Sequence, residues 1–260
     1  MNTLAGRPPR QRRLPAPAGP IVVLAPHPDD ESLGCGGLLA NAFAGKGATV
    51  VCLTDGSGSH PRSRRYPAPR LAERRARELR EAVTRLGGTH ADIVELGHRD
   101  GACPTRGSAF DASVARVSAL CVARRATMLF ATSGADQHTD HQACEVLARA
   151  VQATLPALGL YAYPVWSRRD RFAPDAGVER RLRWLDTSGV RDAKARAIAA
   201  HRTQLGLVVD DDSDGFVLEP TFVARFVEED ECFIEIAPAR ASLPEAREQT
   251  STLPADAGAR

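Results

Sequence analysis

The sequence predicts a doubly wound α/β fold of the Rossmann-like type, with a mostly parallel sheet in a single domain. From residue 21 onward, short β-branched apolar runs alternate with longer segments of helical periodicity, as in consecutive βαβ units. The chain has 260 residues, of which 43% are hydrophobic, and this is enough for one substantial core. Both observations favour one globular α/β domain.

The predicted strands and helices follow from local patterns. The clearest helix covers residues 71–86, where apolar residues recur at spacings of three and four and Gly87 follows. Residues 168–190 are polar and Arg-rich and are predicted to form a loop with helical turns. Strands are predicted at 21–25, 49–53, 92–96, 127–131 and 158–163, with an additional edge strand at 232–236.

The ends of the chain differ in composition from its centre. Residues 1–19 are rich in Pro, Arg and Gly and predict a disordered leader, the domain proper covers 20–237, and 238–260 predict a disordered tail. There is neither an apolar run of about 20 residues nor an export signal. We therefore expect no membrane span and a cytoplasmic location.

Charge and cysteine content exclude several classes of protein. The net charge of +2 and the 5% of aromatic residues argue against a nucleic-acid partner. The six cysteines form no CxxC pair and are predicted to be buried free thiols. Arg-rich segments at 62–70 and 168–183 are predicted to line a substrate entrance, which favours an acidic or phosphate-bearing substrate. The acidic cluster at 210–214 is predicted to be solvated surface, and a homo-oligomer is compatible with the sequence.

The first chemical cluster follows the first predicted strand. His27, Asp29 and Asp30 lie within the run PHPDDE, at the carboxyl end of that strand, where α/β sheets place their ligand sites. Pro26 and Pro28 restrict the backbone around these side chains. Restricted His and Asp side chains are suited to hold a metal ion.

The second cluster follows the fourth predicted strand. His138, Asp140 and His141 lie at the start of a predicted helix. Either cluster alone is compatible with capping or turn chemistry. Because parallel strands share one carboxyl edge, the two clusters are predicted to meet at a single site.

Two His and one carboxylate form a catalytic metal set that leaves positions open for water and substrate. We predict that His27, Asp30 and His141 bind the metal, which would activate a water and polarise an amide carbonyl. Asp29 is then the general base. His138 is the oxyanion partner, with Asp140 orienting it and favouring its protonated form. Zn²⁺ is expected because hydrolysis needs no redox chemistry, although the same ligands also suit Fe²⁺.

Two other interpretations use the same residues. Gly34, Gly36 and Gly37 open a helix, as in a dinucleotide-binding fold, but Leu39 stands where the third glycine belongs. These glycines are instead predicted to allow close packing beside the metal loop. The second alternative is a carbohydrate-binding protein without catalysis, against which the complete set of metal and base positions argues.

The motifs PHPDDESLGCGG and QHTDHQA resemble the two signature motifs of the LmbE-like, or PIG-L-type, N-acetylglucosamine deacetylase family. The resemblance covers roughly residues 20–236 and implies the same ligands, base and oxyanion residues as above. The implied reaction is removal of an N-acyl group, expected to be acetyl, from an amino sugar or glycoconjugate by attack of a metal-bound water. An amidase acting on a non-sugar N-acyl substrate stays open.

The resemblance also implies that Arg75 and Asp100 hold substrate hydroxyls. His98 and Arg99 depart from the family pattern, which has an apolar residue and Pro before the Asp-Gly turn, so they leave the substrate preference open. His60 and His201, the latter in a predicted late helix, are predicted to lie at the surface and are not assigned as ligands.

Overall fold

A computed structural model describes residues 12–167 and 181–237. The strands of the described chain are β1 (Ile21–Ala25), β2 (Ala48–Thr54), β3 (Ile93–His98), β4 (Met128–Thr132), β5 (Gly159–Tyr163), β6 (Leu182–Leu185) and β7 (Glu231–Ile236). The helices are α1 (Asp30–Phe43), α2 (Ala68–Arg85), α3 (Ser108–Ala123), α4 (Thr139–Thr154), α5 (Arg191–Ile198) and α6 (Pro220–Glu228).

The seven strands form one sheet in the order β3-β2-β1-β4-β5-β7-β6. The first five strands in that order run parallel, and β7 runs antiparallel to both of its neighbours. The chain moves outward from β1 to β3 and then returns to place β4 on the other side of β1. This reversal is the topological switch point, where a doubly wound sheet opens a crevice for ligands.

Alternation along the buried strands separates two apolar layers. In β1, Ile21 and Val23 face the layer made with α1, α2, α5 and α6. Val22 and Leu24 face the opposite layer, made with α3 and α4. Because both faces of the central strands are covered, these strands consist of continuous apolar residues, as the sequence pattern predicted.

The predicted α/β class and parallel sheet are confirmed, and each of the first five strands lies within one or two residues of its predicted bounds. Two details are wrong. The strand at Glu231–Ile236 is not an edge strand, because β6 lies outside it. β6 itself was missed because its Arg-containing LRWL segment lies in a polar region that lacks a strand pattern.

The amino-terminal segment contacts the sheet before β1 begins. Leu14 donates its backbone N–H to the carbonyl of Trp184 in β6, 2.8 Å away, and Arg13 forms a parallel bridge to the same residue. Arg13 and Leu14 thus contact the sheet, although they lie within the segment 1–19 that was predicted to be disordered. Residues 1–11, the tail at 238–260 and most of the predicted 168–190 loop lie outside the described residues. Among the described helices, none is long and apolar enough to cross a membrane.

The glycines of α1 allow close packing, as predicted. A Cβ atom on Gly34 would lie 2.2 Å from Cδ2 of Tyr163, and one on Gly37 would lie 2.4 Å from Cγ2 of Thr187. Side chains already fill the space against these two backbone positions. This occupancy argues against a glycine loop that receives a pyrophosphate.

We expect Gly34→Ala to lower the free energy of unfolding by about 1–3 kcal/mol, because it overpacks the core against Tyr163. The loss should appear even though alanine favours a helix over glycine by about 1 kcal/mol. The Tyr163 ring is held in place, since its hydroxyl donates to the Leu24 carbonyl at 2.7 Å. Urea unfolding measures the change. Gly189→Ala, where no atom lies within 4 Å of the new Cβ, is the control. Unchanged stability of Gly34→Ala would show that the ring moves aside.

Candidate active site

The two predicted clusters meet at the switch point. The first lies in the turn between β1 and α1, and the second lies at the start of α4, after β4. Strands β1 and β4 are hydrogen-bonded neighbours, with Val23 paired to Phe130. Segments more than 100 residues apart in sequence therefore contact each other across the sheet edge.

Asp30 lies against both of the other predicted ligands, His27 and His141. Oδ2 of Asp30 lies 3.2 Å from Nδ1 of His27 and 3.3 Å from Nε2 of His141. All three residues are buried. Although Asp30 is near, the buried Nε2 atom of His141 forms no hydrogen bond of suitable geometry within the described residues. A buried polar atom without a partner is costly and indicates a missing ligand.

The two separations from Asp30 fit a metal site. Two donor atoms bound to one tetrahedral Zn²⁺ at about 2.0–2.1 Å lie about 3.3 Å apart. Ring nitrogens of His27, His138 and His141 also lie within 4.8 Å of one another, as do donor atoms of His27, His138, Asp100 and Asp140. The site therefore contains a His/Asp group that can hold a metal ion. The separations within the Asp30 set and the Asp100/Asp140 set are similar, and of these two only the set with Asp30 and His141 contains a buried nitrogen that lacks a hydrogen bond in the described structure.

The electrostatics of these ligands favour positive charge around Asp30. Burial alone would raise the pKa of Asp30, but His141 and His27 outweigh it and hold the pKa well below its usual range. Burial opposes protonation of His141, yet the Asp30 charge and a hydrogen bond to Asp136 raise its pKa to about 9. The ionised carboxylate between two imidazoles is an environment suited to a cation.

Asp136 is a further candidate site residue, which the sequence interpretation missed. Its Oδ2 lies 2.9 Å from Nδ1 of His141 and accepts the backbone N–H of Val165 at 3.0 Å. Its Oδ1 accepts both the N–H and the hydroxyl of Ser167. Such a carboxylate fixes the tautomer and orientation of a metal-binding His. Only its position five residues before His141 pointed to it in the sequence. Its other partners lie near residue 166, and the sequence does not show that they are close in space.

The other side of the His27 ring faces two carboxylates. Nε2 of His27 lies 3.1 Å from Oδ2 of Asp140 and 3.2 Å from Oδ1 of Asp100. Burial would lower the pKa of His27, but hydrogen bonds to Asp100, Asp140 and Asp30 outweigh it and raise the pKa well above its usual value. Asp140 also accepts the backbone N–H groups of Gly101 and Cys103. It therefore fastens the loop after β3 to the site.

The environment of His138 corrects part of the prediction. The carboxylate of Asp140 contacts His27, and it is the backbone N–H of Asp140 that donates to Nδ1 of His138, at 3.2 Å. Burial lowers the pKa of His138 and His27 and His141 lower it further, while the charge of Asp140 raises it without outweighing them. The protonated form is thus disfavoured. Because Nδ1 accepts a hydrogen bond, the neutral ring carries its hydrogen on Nε2.

Asp29 lies beside the ligands with its carboxylate facing α2. Its Oδ2 lies 3.3 Å from Nη2 of Arg75. Burial raises the pKa of Asp29 to about 6, opposed by the Arg75 charge and reinforced by Asp30. The backbone has φ of 150°, which is unusual for a residue with a Cβ atom. Such conformations concentrate at functional sites.

Arg75 and Asp100 both lie beside predicted site residues, and both already have partners within the protein. The Arg75 guanidinium is 2% exposed and donates to the carbonyl groups of Gly56 and Pro28. Asp100 accepts the backbone N–H of Gly58 at 2.9 Å, and its pKa falls to about 2, because the bond to His27 outweighs the effect of burial. Their contact with substrate hydroxyls stays a prediction.

The surface positions predicted for His60 and His201 are wrong. His60 is 2% exposed and bonds Ser59, while His201 is 1% exposed and lies 2.9 Å from Oε1 of Glu31. His201 follows α5 rather than lying within a helix. Glu31 was not singled out from the sequence, although it ends the PHPDDE run. His98 is partly buried against Ser113.

The charged segments near residues 62 and 212 pair with each other. Arg62 contacts Asp214, and Arg65 contacts both carboxylate oxygens of Asp210. Asp211 accepts the hydroxyl of Ser63. The acidic cluster is largely exposed, as predicted, and pairs with the Arg-rich segment at the surface. Its charge offsets the positive charge on which the prediction of an acidic substrate rested, and Arg168 and Arg169 lie outside the described residues.

The site opens into a pocket of about 200 Å³. Asp29, Arg75 and Asp100 form its polar part with Gly58 and Ser59. The rest of the pocket is lined by Leu33, Trp166, Phe216 and Gln204, and by the site residues His27, Asp30 and His138. The pocket therefore offers hydrogen-bonding groups and an apolar wall beside the ligand atoms.

The site is a candidate metal centre. Its His/Asp group can hold a metal ion and lies at the switch point of a doubly wound sheet. Residues 22–152 match the model of the PIG-L family, described as GlcNAc-PI de-N-acetylase. The match covers half of the chain. The protein therefore belongs to the PIG-L family, as the two motifs predicted.

Individual relatives were found by sequence and by structure. A 1D-myo-inositol 2-acetamido-2-deoxy-alpha-D-glucopyranoside deacetylase of Streptomyces griseus is 29% identical, covering 74% of this chain and 76% of that protein. The N,N'-diacetylchitobiose deacetylase of Pyrococcus horikoshii has a TM-score of 0.64 at 21% identity, with 84% of each chain covered. At this identity the structural likeness shows the fold.

The same fold also supports different chemistry. GalB of Pseudomonas putida, a 4-carboxy-2-hydroxymuconate hydratase, has a TM-score of 0.63 at 17% identity, covering 86% of this chain and 99% of that chain. The fold alone therefore does not identify a reaction. The reaction has to be inferred from the residues of the site.

We expect Asp136→Asn to weaken Zn²⁺ binding by about 10–100-fold, because the His141 ring loses the carboxylate that orients it. Titration against a competing chelator measures the affinity. Asp92→Asn is the matched control, since Asp92 accepts from Thr89 at an exposed turn remote in sequence from both clusters. Equal affinities for Asp136→Asn and the wild type would contradict the orienting role.

Proposed function

We propose that this protein is a metal-dependent hydrolase that removes the N-acetyl group from an amino sugar or its conjugate. The observation that carries the proposal is that the buried His27 and His141 both contact Asp30, beside a pocket that His27, Asp29 and Asp30 line. Membership of a family described by a de-N-acetylase supports the reaction. The Streptomyces griseus relative, named as a deacetylase of an acetamido sugar linked to inositol, supports the substrate class.

His27, Asp30 and His141 would hold the metal, and Asp136 would orient His141. A divalent ion there supplies Lewis acidity toward the amide carbonyl and lowers the pKa of water. Zn²⁺ is proposed because the hydrolysis has no redox step, and two nitrogen donors and one carboxylate also suit Fe²⁺.

Asp29 would act as the general base. Its carboxylate accepts a proton from the attacking water while the water oxygen forms a bond to the amide carbon. The same proton is then transferred to the nitrogen as the C–N bond breaks, so the products are a free amine and acetic acid, which releases its proton to solvent as acetate. Arg75 lies against Oδ2 of Asp29 and holds the carboxylate in place.

His138 would stabilise the negative charge that develops on the carbonyl oxygen. Its Nδ1 accepts from the Asp140 backbone, which leaves Nε2–H free to donate to that oxygen. The neutral ring is sufficient for this role. Asp140 contributes through its backbone and through its contact with His27.

Asp100 and Arg75 would bind the hydroxyl groups of the sugar. Asp100 lines the pocket and retains acceptor capacity beside Ser59, while most Arg75 donors already bond to the protein. We therefore expect Asp100 to make the stronger substrate contact.

The test measures acetate release from a panel of N-acetylated amino sugars, together with bound metal. Asp29→Asn should keep its metal and lose about 10²–10⁴-fold in kcat, since general acid–base catalysis contributes this much. His141→Ala should lose both metal and turnover. Glu73→Gln, at an exposed pair with Arg77, is the control.

Other results would identify the alternatives. Bound metal without acetate release from any sugar, but with release from a non-sugar N-acyl amine, would assign a different amidase. Sugar binding with no hydrolysis at all would leave a carbohydrate-binding protein. Absence of metal in protein purified without chelators would contradict the proposal.

A further inference from the structure

Asp29 occupies the N-cap of α1 but does not act as a cap. An N-cap Asp ordinarily has extended backbone and accepts an N–H of the first helical turn with its side chain. Here φ is 150° and ψ is −29°, and the side chain forms no capping bond. The carbonyl of Asp29 still accepts the N–H groups of Ser32 and Leu33, so the helix begins normally. The carboxylate is turned away from its own helix toward Arg75.

Glu31 holds the unusual backbone of Asp29 in place. The N–H of Asp29 donates to Oε2 of Glu31 at 3.0 Å. The other carboxylate oxygen of Glu31 accepts the Ser32 hydroxyl at 2.5 Å and lies 2.9 Å from Nε2 of His201. Glu31 is fully buried and His201 is 1% exposed. A buried carboxylate with a fixed set of donors cannot rotate freely.

The loop that carries His201 is anchored on the helix that carries Arg75. The N–H and hydroxyl of Thr203 both donate to the buried Glu78 of α2. Arg75, one turn earlier on the same helix, contacts the Asp29 carboxylate. Helix α2 therefore fixes Asp29 from two sides, directly at its carboxylate and indirectly through His201 and Glu31 at its backbone.

We propose that Glu31 and His201 form a positioning pair that holds Asp29 in its positive-φ conformation and so keeps the Asp29 carboxylate in the active site instead of on the end of α1. The inference rests on the proposed function of Asp29 as general base. Neither residue of the pair lines the pocket, so both act through Asp29.

The positioning pair prevents Asp29 from adopting an alternative conformation. Without the His201 donor, Glu31 is a buried carboxylate with fewer partners and no longer fixes the Asp29 N–H. Asp29 can then relax to negative φ and cap its own helix through the Ser32 N–H. That relaxed state removes the base from the reacting atoms while the ligands His27, Asp30 and His141 keep their places.

The test compares His201→Leu, which removes the donor, with His201→Gln, whose amide can still donate to Glu31. For an N-acetyl amino sugar that the wild type hydrolyses, kcat of His201→Leu should fall about 100-fold, the effect of a displaced catalytic group. KM and bound metal should be unchanged. His201→Gln should recover most of the lost kcat.

Lys194→Met is the matched control. Lys194 in α5 and Glu231 in β7 form another fully buried ion pair, and Glu231 accepts the N–H groups of Gly37 and Leu38 in α1, away from Asp29. Lys194→Met should lose stability but retain kcat. An equal fall in kcat for Lys194→Met and His201→Leu would overturn the positioning role.

A crystal structure of His201→Leu gives a readout independent of turnover. The expected result is Asp29 at negative φ with its carboxylate near the Ser32 N–H, and φ remaining near 150° would overturn the proposal. If the wild type hydrolyses no N-acyl sugar, the proposed function fails while this structural result still decides the inference. If His201→Leu does not fold, Glu31→Gln replaces it, with the same two outcomes.

Discussion

The Asp30 carboxylate, buried between His27 and His141, is the interaction on which the rest of the site depends. A buried charge needs partners, and the three residues lie at the junctions β1–α1 and β4–α4, which the pairing of β1 with β4 brings together. Every further carboxylate around them is also partnered. Asp136 and Asp140 bind backbone N–H groups and the two imidazoles, so loops near residues 101 and 166 become fixed parts of the site.

Close packing of α1 against the sheet positions this arrangement. Gly34 and Gly37 admit Tyr163 and Thr187 against the helix backbone, and the Tyr163 hydroxyl reaches the Leu24 carbonyl one residue before β1 ends. A helix held this close begins directly at the PHPDDE run. The same glycines that suggest a nucleotide loop in the sequence thus serve packing, and the acidic residues at the helix start serve the site.

The sequence predicted what depends on local pattern. Continuous apolar runs identified the five parallel strands, and strand-end position identified both clusters. It did not predict what depends on distant partners: β6 needs pairing with β7, Asp136 needs the N–H groups near residue 166, and the burial of His201 follows from a contact with Glu31, 170 positions away. The carboxylate of Asp140 was assigned to the nearer His138 because sequence proximity cannot reveal a contact with His27.

The most direct test of the central claim is an anomalous diffraction measurement at the zinc edge, on crystals of the protein loaded with one equivalent of Zn²⁺. The account predicts one peak within about 2.0–2.3 Å of Nδ1 of His27, Oδ2 of Asp30 and Nε2 of His141. A peak between His27, Asp100, His138 and Asp140, or no peak at this sheet edge, would contradict it.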